Sequence, residues 1–266
     1  MQSIARFLFA VLAFQIVACG SSGSKSASAT KASIATAPAG DLTVELLTDT
    51  ALETGLTPIY VKVTTSGGQS VTDATVTFVP LMSMSGGMQH SAPVMDQPTI
   101  APDDLYHGSV VFQMASTAMD SWSATVAVTQ PGAAAVEVKF EALNVADSGR
   151  AKVFTYTDPV SAVASKYVSS LNFVDSPQVG LNPIVFTLHQ MQDMMTFVSV
   201  DDATLALDPE MPSMGHGSPG SIAPTLTAPG RYQGSLSFSM AGPWETTVTV
   251  SEAAVVLGAL VFTTTF

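Results

Sequence analysis

The sequence is nearly without cysteine, and this scarcity excludes two kinds of structure. Cys19 is the only cysteine in 266 residues, so neither an intramolecular disulfide nor a metal site built from several thiolates can form. Charge is also scarce: 9 lysines and arginines stand against 21 aspartates and glutamates, for a formal net charge of −12. So few basic residues leave no positive surface for the phosphates of a nucleic acid. We therefore expect a chain that binds no nucleic acid.

Long apolar runs and catalytic motifs are missing as well. No run reaches the roughly 20 apolar residues that a membrane-spanning helix needs. The sequence contains no phosphate-binding glycine loop, no nucleophile elbow and no zinc-protease motif. We therefore expect a protein that is not an enzyme.

The first 40 residues have the pattern of an export signal followed by a tether. A short basic start, an apolar run and Ile-Val-Ala-Cys ending at Cys19 resemble a bacterial lipobox. The sequence predicts a signal peptide at 1–18, a lipid on Cys19 that attaches the protein to a membrane, and a flexible Ser/Ala/Gly linker at 19–40. By resemblance to enterobacterial lipoproteins, Gly20 and Ser21 favour the outer membrane. A secretion signal without lipid is the alternative.

The rest of the chain is a tandem duplication with a period near 126 residues. Gly55-Leu-Thr-Pro-Ile matches Gly180-Leu-Asn-Pro-Ile at an offset of 125 (180 − 55). Asp73-Ala-Thr matches Asp202-Ala-Thr at an offset of 129 (202 − 73). The motifs His-Ser-Ala-Pro and His-Gly-Ser-Pro match at an offset of 126 (216 − 90). A domain-sized period indicates duplicated domains and not a solenoid.

Each copy consists of short β-branched or alternating segments separated by Gly, Pro and Ser turns. The predicted strands are 42–47, 59–64, 75–79, 109–114 and 123–128, then 169–174, 184–188, 203–207, 235–240 and 246–250. This spacing predicts an all-β fold of two tandem immunoglobulin-like antiparallel sandwiches. We assign the first sandwich to 41–147 and the second to 166–266, with a linker or extra strand at 148–165.

Methionine and histidine concentrate at matching positions of the two copies. In the second copy, Met211, Met214 and His216 lie in a Pro- and Gly-rich segment that predicts a loop, and Met240 ends a strand. The matching residues of the first copy are Met82, Met88, His90 and Met114, with Met84 as an extra candidate in a longer loop. Thioethers and imidazoles are the ligands of Cu(I) or Ag(I), whereas Zn²⁺, Ca²⁺ and Mg²⁺ prefer other donors. Both clusters are therefore candidate copper sites.

Packing alone offers a second interpretation of these residues. Methionine is a flexible core side chain, and Met240 fits that role well because its strand face is apolar. Trp122 and Trp244 follow the clusters and are either core residues or aromatic shields beside a metal. The stretch from His189 to Met195 has no counterpart in the first copy. It is an accessory metal hairpin, an interdomain contact or a half-buried hairpin.

The second cluster also carries a family resemblance. The motif Met-Pro-Ser-Met-Gly-His ending at His216, followed by Gly-Arg-Tyr-Gln-Gly and Phe-Ser-Met-Ala-Gly-Pro-Trp-Glu, resembles the YtkA-like domain family. Members of that family are extracytoplasmic immunoglobulin-like sandwiches proposed to handle copper, in some cases for the assembly of respiratory oxidases. The match covers about 167–266 well and 42–140 more weakly. The resemblance implies four ligands, Met211, Met214, His216 and Met240.

The leading hypothesis is a lipid-anchored extracytoplasmic Cu(I) chaperone or buffer. Its partner would be an envelope protein that receives or donates copper, and an accessory role in an oxidase or efflux system would differ only in that partner. The alternative is a β-sandwich binding or scaffold module that holds no metal. In that case the loop methionines would pack into a dry interface between the sandwiches.

Overall fold

The structure, a computed structural model, describes residues 31–266. The regular elements in this range are all β-strands, and they form two antiparallel sandwiches in tandem. The all-β fold predicted from alternating segments and turns is therefore confirmed. Within residues 31–266, no helix has the length and apolarity to cross a membrane. The predicted signal peptide at 1–18 and the predicted lipidation site Cys19 lie outside the described residues.

The first sandwich packs a five-stranded sheet against a four-stranded sheet. Its strands are β1 (Ala32–Ala39), β2 (Leu42–Thr48), β3 (Gly55–Thr65), β4 (Thr75–Ser83), β5 (Gln89–His90), β6 (Val94–Ile100), β7 (Tyr106–Phe112), β8 (Ser121–Thr129) and β9 (Val136–Leu143). The larger sheet has the strand order β1-β2-β3-β7-β6, and the smaller has the order β5-β4-β8-β9.

The second sandwich repeats this topology strand for strand and adds one short strand. Its strands are β10 (Ala151–Thr157), β11 (Ala164–Phe173), β12 (Gly180–Met191), β13 (Phe197–Ser199), β14 (Thr204–Met211), β15 (His216–Gly217), β16 (Ile222–Ala228), β17 (Arg231–Phe238), β18 (Pro243–Glu252) and β19 (Val255–Thr265). The sheets have the orders β10-β11-β12-β17-β16 and β15-β14-β18-β19, with β13 paired to β12. The duplication seen in the sequence thus extends to every strand except β13.

Two edge strands lie in segments that the sequence predicted as a linker, at 19–40, and as a linker or extra strand, at 148–165. β1 falls inside the predicted linker 19–40, and it pairs with β2 from Ala32↔Thr48 to Ala39↔Leu42. The linker prediction is therefore wrong for Ala32–Ala39. Small Ser, Ala and Thr side chains are typical of a tether, but an edge strand needs only a neighbouring backbone and one face to bury. β10 occupies the matching position in the second sandwich, where it pairs with β11.

Each sandwich has its own hydrophobic core, formed by side chains that alternate along facing strands. Trp122, Phe78 and Phe112 are among the fully buried side chains of the first core. Trp244 and Phe238 take the matching places in the second. Contacts between the two sandwiches join residues 31–266 into one compact unit.

A buried tyrosine fixes the same corner in both sandwiches. The hydroxyl of Tyr106 donates to the carbonyl of Val71 at 3.0 Å and accepts from the backbone N–H of Ala74 at 3.0 Å. The hydroxyl of Tyr232 makes the equivalent bonds in the second sandwich, to Val200 at 2.8 Å and from Ala203 at 3.1 Å. A tyrosine that bonds back to the chain in this way is typical of immunoglobulin-like sandwiches.

The two sandwiches contact each other through specific polar groups. The side-chain amide of Asn172 pairs with the backbone of Leu56, donating at 3.0 Å and accepting at 3.1 Å. The guanidinium of Arg231 lies 2.5 Å from the carboxylate of Asp96. These contacts fix the position of the second sandwich against the first, near the end that carries the first Met/His cluster.

Candidate metal sites at the ends of the two sandwiches

In both sandwiches the Met/His cluster is a β-hairpin. In the second, Met214 lies in a turn, as Pro and Gly predicted, whereas Met211 and His216 are strand residues. Met82 pairs with His90 between β4 and β5, and Met211 pairs with His216 between β14 and β15. Seven residues separate the first pair (90 − 82 − 1) and four separate the second (216 − 211 − 1). The first hairpin is therefore three residues longer, and Met84 lies in the longer part.

The first methionine of each hairpin faces the core. Along β4 the buried positions alternate with exposed ones, and Met82 falls on the buried side with no exposed surface. Met211 follows the same alternation along β14 and is 3% exposed. The alternation of buried and exposed side chains therefore continues through both methionines, although the neighbouring Pro and Gly residues had suggested a loop. A ligand role for Met82 and Met211 stays a prediction.

A tryptophan connects the histidine and the later methionine at each end. The indole N–H of Trp122 donates to the carbonyl of Met114 at 2.9 Å, and that of Trp244 donates to the carbonyl of Met240 at 3.0 Å. Both indoles are buried, as core residues should be. Each also meets the histidine ring edge-on, at 5.3 Å between the centroids of Trp122 and His90 in the first sandwich. The corresponding distance in the second sandwich is 5.8 Å.

Both histidines hold the same nitrogen ready for a ligand. Nδ1 of His90 lies 2.9 Å from the carbonyl oxygen of Ser91, and Nδ1 of His216 lies 3.1 Å from that of Gly217. Because a carbonyl oxygen can only accept, we assign the proton of the neutral tautomer to Nδ1 in both rings. In His90 the amide nitrogen of Gln113 also lies 3.0 Å from this Nδ1. Nε2 then carries the free lone pair, which is the arrangement of a metal-ligating histidine.

Nε2 of His90 is a buried nitrogen without a hydrogen-bond partner. The ring is 3% exposed, and Nε2 makes no hydrogen bond in the structure. An unsatisfied buried acceptor costs about 1–3 kcal/mol, so a ligand that accepts the lone pair of Nε2 would remove this cost. The amide nitrogen of the neighbouring Gln113 donates to the same Ser91 carbonyl at 2.7 Å, and its Oε1 is likewise buried without a partner.

His90 lines a cavity of about 210 Å³ between the sandwiches, and the cavity is rich in sulfur. Three of the lining methionines belong to the first sandwich and two to the second: Met84, Met88, Met114, Met191 and Met194. Met88 is 57% exposed and Met194 is 40% exposed. The cavity therefore opens to solvent on its methionine side and is closed at the histidine. Met88, His90 and Met114, predicted as ligands, thus come together here, whereas Met82 is not among the lining residues.

The second cluster has the same arrangement of histidine, tryptophan and methionine, but its side chains are more exposed to solvent. Met214 is 61% exposed and Met240 is 39% exposed, while His216 is partly exposed. The tip is closed by two bonds to the carbonyl of Met211, from the N–H groups of Met214 and Gly215, each at 3.0 Å. Of the predicted ligands of the second sandwich, Met214, His216 and Met240 therefore lie at an open surface, whereas Met211 is buried.

Sequence reasoning did not include Met191 and Met194 among the site residues. They lie on the hairpin between β12 and β13, whose tip is stabilised by the carboxylate of Asp193. The backbone N–H of Ser91, next to His90, donates to the carbonyl of Met194 at 2.9 Å. Of the alternatives considered for this stretch, the structure therefore supports an interdomain contact. The shift of the repeat offset from 125 to 129 was the sequence signal that marked this insertion.

The donor atoms of the cavity suit a soft ion. Among residues 31–266, no group of three or more His, Cys, Asp or Glu side chains comes together in a way that could hold a metal. The cavity instead offers thioethers and one imidazole, which is the donor set that Cu(I) prefers, and its lining also includes the side chains of Gln113 and Lys166. The unpaired Nε2 of His90 fits such an ion because it needs an electron-pair acceptor. Nearby, burial lowers the pKa of His189 to about 4, so that ring is neutral at neutral pH.

Fold and site together define a tandem pair of antiparallel β-sandwiches that each carry a His–Trp–Met arrangement at one end. A family model described as YtkA-like matches residues 36–117 and again residues 161–249. The chain therefore belongs to the YtkA-like family, with two copies of the domain, as the sequence resemblance predicted. No curated protein matches the sequence.

Proposed function

We propose that this protein is an extracytoplasmic Cu(I)-binding protein that buffers the ion or passes it to a partner, and that it has no enzymatic activity. The single observation that carries the proposal is Nε2 of His90, a buried lone pair without a partner at the wall of a thioether-lined cavity. The repeated His–Trp–Met arrangement supports it, because the same ligand types occur at the matching place of the second sandwich.

The binding mechanism follows from the donors. Thioethers carry no proton and are neutral, so they bind a soft monovalent ion without displacing protons and release it by stepwise exchange. Exposed Met88 and Met214 provide the first contact, and the histidines supply the more basic nitrogen behind them. A partner with similar ligands could then take the ion by replacing one sulfur at a time.

Titration of residues 31–266, the unit that contains both cores, tests the proposal. We expect the protein to compete for Cu(I) with a colorimetric chelator under anaerobic, reducing conditions. His90→Leu and His216→Leu should each remove one bound ion, and Met119→Leu serves as the matched control. Met119 is 75% exposed and lies in neither cluster. Wild-type protein that takes no Cu(I) from the chelator would reject the proposal.

The same variants separate copper binding from the scaffold alternative. If the loop methionines only formed a dry contact, Met88→Ala and Met214→Ala would lower stability and leave metal content unchanged. Both side chains are more than half exposed, so we expect each change to alter the free energy of unfolding by no more than about 0.5 kcal/mol.

The location in the cell envelope is part of the same proposal. We propose that Cys19 carries lipid and holds the protein at the periplasmic side of a membrane, with the outer membrane favoured. Metabolic labelling with a radioactive fatty acid should mark the wild-type chain and not the Cys19→Ser variant. Fractionation of the envelope then identifies the membrane, and an unlabelled wild-type chain would contradict the anchor.

A further inference from the structure

Two of the insertions that distinguish the sandwiches line the same cavity. In the first sandwich the Met/His hairpin is three residues longer and adds Met84. In the second sandwich the pairing His189↔Ser199 encloses nine residues (199 − 189 − 1). The matching bridge of the first sandwich, Thr64↔Ser70, encloses five (70 − 64 − 1). The four extra residues belong to the hairpin that carries Met191 and Met194.

The longer hairpin is held against the first site by its backbone. The bond from the Ser91 N–H to the Met194 carbonyl, 2.9 Å long, lies one residue from His90. On the hairpin itself, the N–H of Gln192 donates to the carbonyl of Thr196 at 3.0 Å. Because the amide of Asn172 also fixes the sandwiches to each other, Met191 and Met194 need little reorganisation to meet an ion.

We propose that Met191 and Met194 are ligands of the first site, so that one soft monovalent ion bound there bridges the two sandwiches. This inference rests on the proposed Cu(I) binding. The second sandwich thus contributes donors to its neighbour and keeps its own open site. The bridged ion contacts thioethers of both sandwiches and Nε2 of His90, whereas the ion at His216 contacts the second sandwich alone.

The two tryptophans allow each site to be followed separately. The chain has only Trp122 and Trp244, and each lies edge-on to one of the two histidines. In the Trp244→Phe protein, the fluorescence of Trp122 reports the first site. In the Trp122→Phe protein, Trp244 reports the second. Ag(I) is the probe because it shares the soft ligand preference of Cu(I).

The decisive variant is Met191→Leu with Met194→Leu, which removes two sulfurs at nearly constant volume. We expect Ag(I) affinity reported by Trp122 to fall by about tenfold or more, equivalent to about 1.4 kcal/mol. Affinity reported by Trp244 should not change. Met195→Leu is the matched control, because it lies on the same hairpin and does not line the cavity.

A second measurement does not depend on variants. Hydrogen exchange of wild-type protein should slow at the amides of Ser91 and Thr196 when Ag(I) is added, because the ion ties the hairpin to the first sandwich. Unchanged Trp122 affinity in the double variant, or unchanged exchange in protein that binds Ag(I), would overturn the bridge and leave copper binding intact. Wild-type protein that binds no Ag(I) at either site would instead overturn the proposed function.

Discussion

The two ends of this protein have the same frame and different surroundings. In each sandwich a hairpin pairs a core methionine with a histidine, and a buried tryptophan connects that histidine to a later methionine. At the first end the histidine is 3% exposed and faces a cavity covered by the neighbouring sandwich. At the second end the equivalent ring faces solvent in part. The arrangement of methionine, histidine and tryptophan is the same at both ends. The two insertions that line the cavity make the first histidine less accessible to solvent.

The largest effect on stability should come from the core methionine that each hairpin contributes. We expect Met82→Ala and Met211→Ala each to lower the free energy of unfolding by about 2–5 kcal/mol, because both side chains fill a core. Met→Leu at the same positions should cost less than about 1.5 kcal/mol. Urea unfolding measures both changes. A variant that loses metal while keeping its stability would instead assign that methionine to the site.

The tryptophans should be the next most sensitive positions. Trp122→Phe or Trp244→Phe removes the hydrogen bond to a methionine carbonyl and shrinks a buried ring. We expect each to lower the free energy of unfolding by about 1–3 kcal/mol. The two losses should be similar, because the frame is the same. A clear difference between them by chemical unfolding would mean that the two frames are not equivalent.

The contact between the sandwiches can be tested at Asn172, which is 7% exposed. Asn172→Ala leaves the N–H and C=O of Leu56 without their partner. We expect a loss of about 1–3 kcal/mol, together with weaker Ag(I) binding reported by Trp122 and unchanged binding reported by Trp244. Asn144→Ala, at an exposed position, is the control for thermal unfolding and for titration. Equal losses at both sites would argue against a bridge.

The smallest effect should come from the ion pair across the same interface. Arg231 and Asp96 are 24% and 51% exposed, so water and salt screen their attraction. Asp96→Asn should cost at most about 1 kcal/mol at low salt and nothing measurable near 1 M salt. Lys139→Gln serves as the control, since its pair with Glu141 lies within the first sandwich. A large effect that salt does not change would assign the loss to the hydrogen bond that the Asp96 carboxylate accepts from the Ser109 hydroxyl.

The fold was largely predictable, because period-two alternation and turn residues mark most strands directly. β1 was missed since its Ser, Ala and Thr side chains carry little alternation. Met82 and Met211 were assigned to loops because nearby Pro and Gly outweighed an alternation that the strands in fact continue. In both cases pairing with a neighbouring strand determines the local structure, and the local residue composition does not.

The candidate site was predictable only within one sandwich. Repeat matching identified Met88, His90 and Met114, which the structure brings to one cavity. Met191 and Met194 could not be assigned to that cavity, because docking between domains leaves no periodic pattern in a sequence. Only the four-residue insertion marked their hairpin, and its partner became visible through the bond between Ser91 and Met194.

The lack of thiols in residues 31–266 has a consequence for durability. Sites that rely on thiolates fail in an oxidising compartment once their sulfurs join as disulfides. Thioethers cannot join in that way, and the sulfoxide that forms on them is removed by dedicated reductases. The proposed soft-ion site would therefore keep its sulfur ligands in an oxidising compartment, where a thiolate site would need constant reduction.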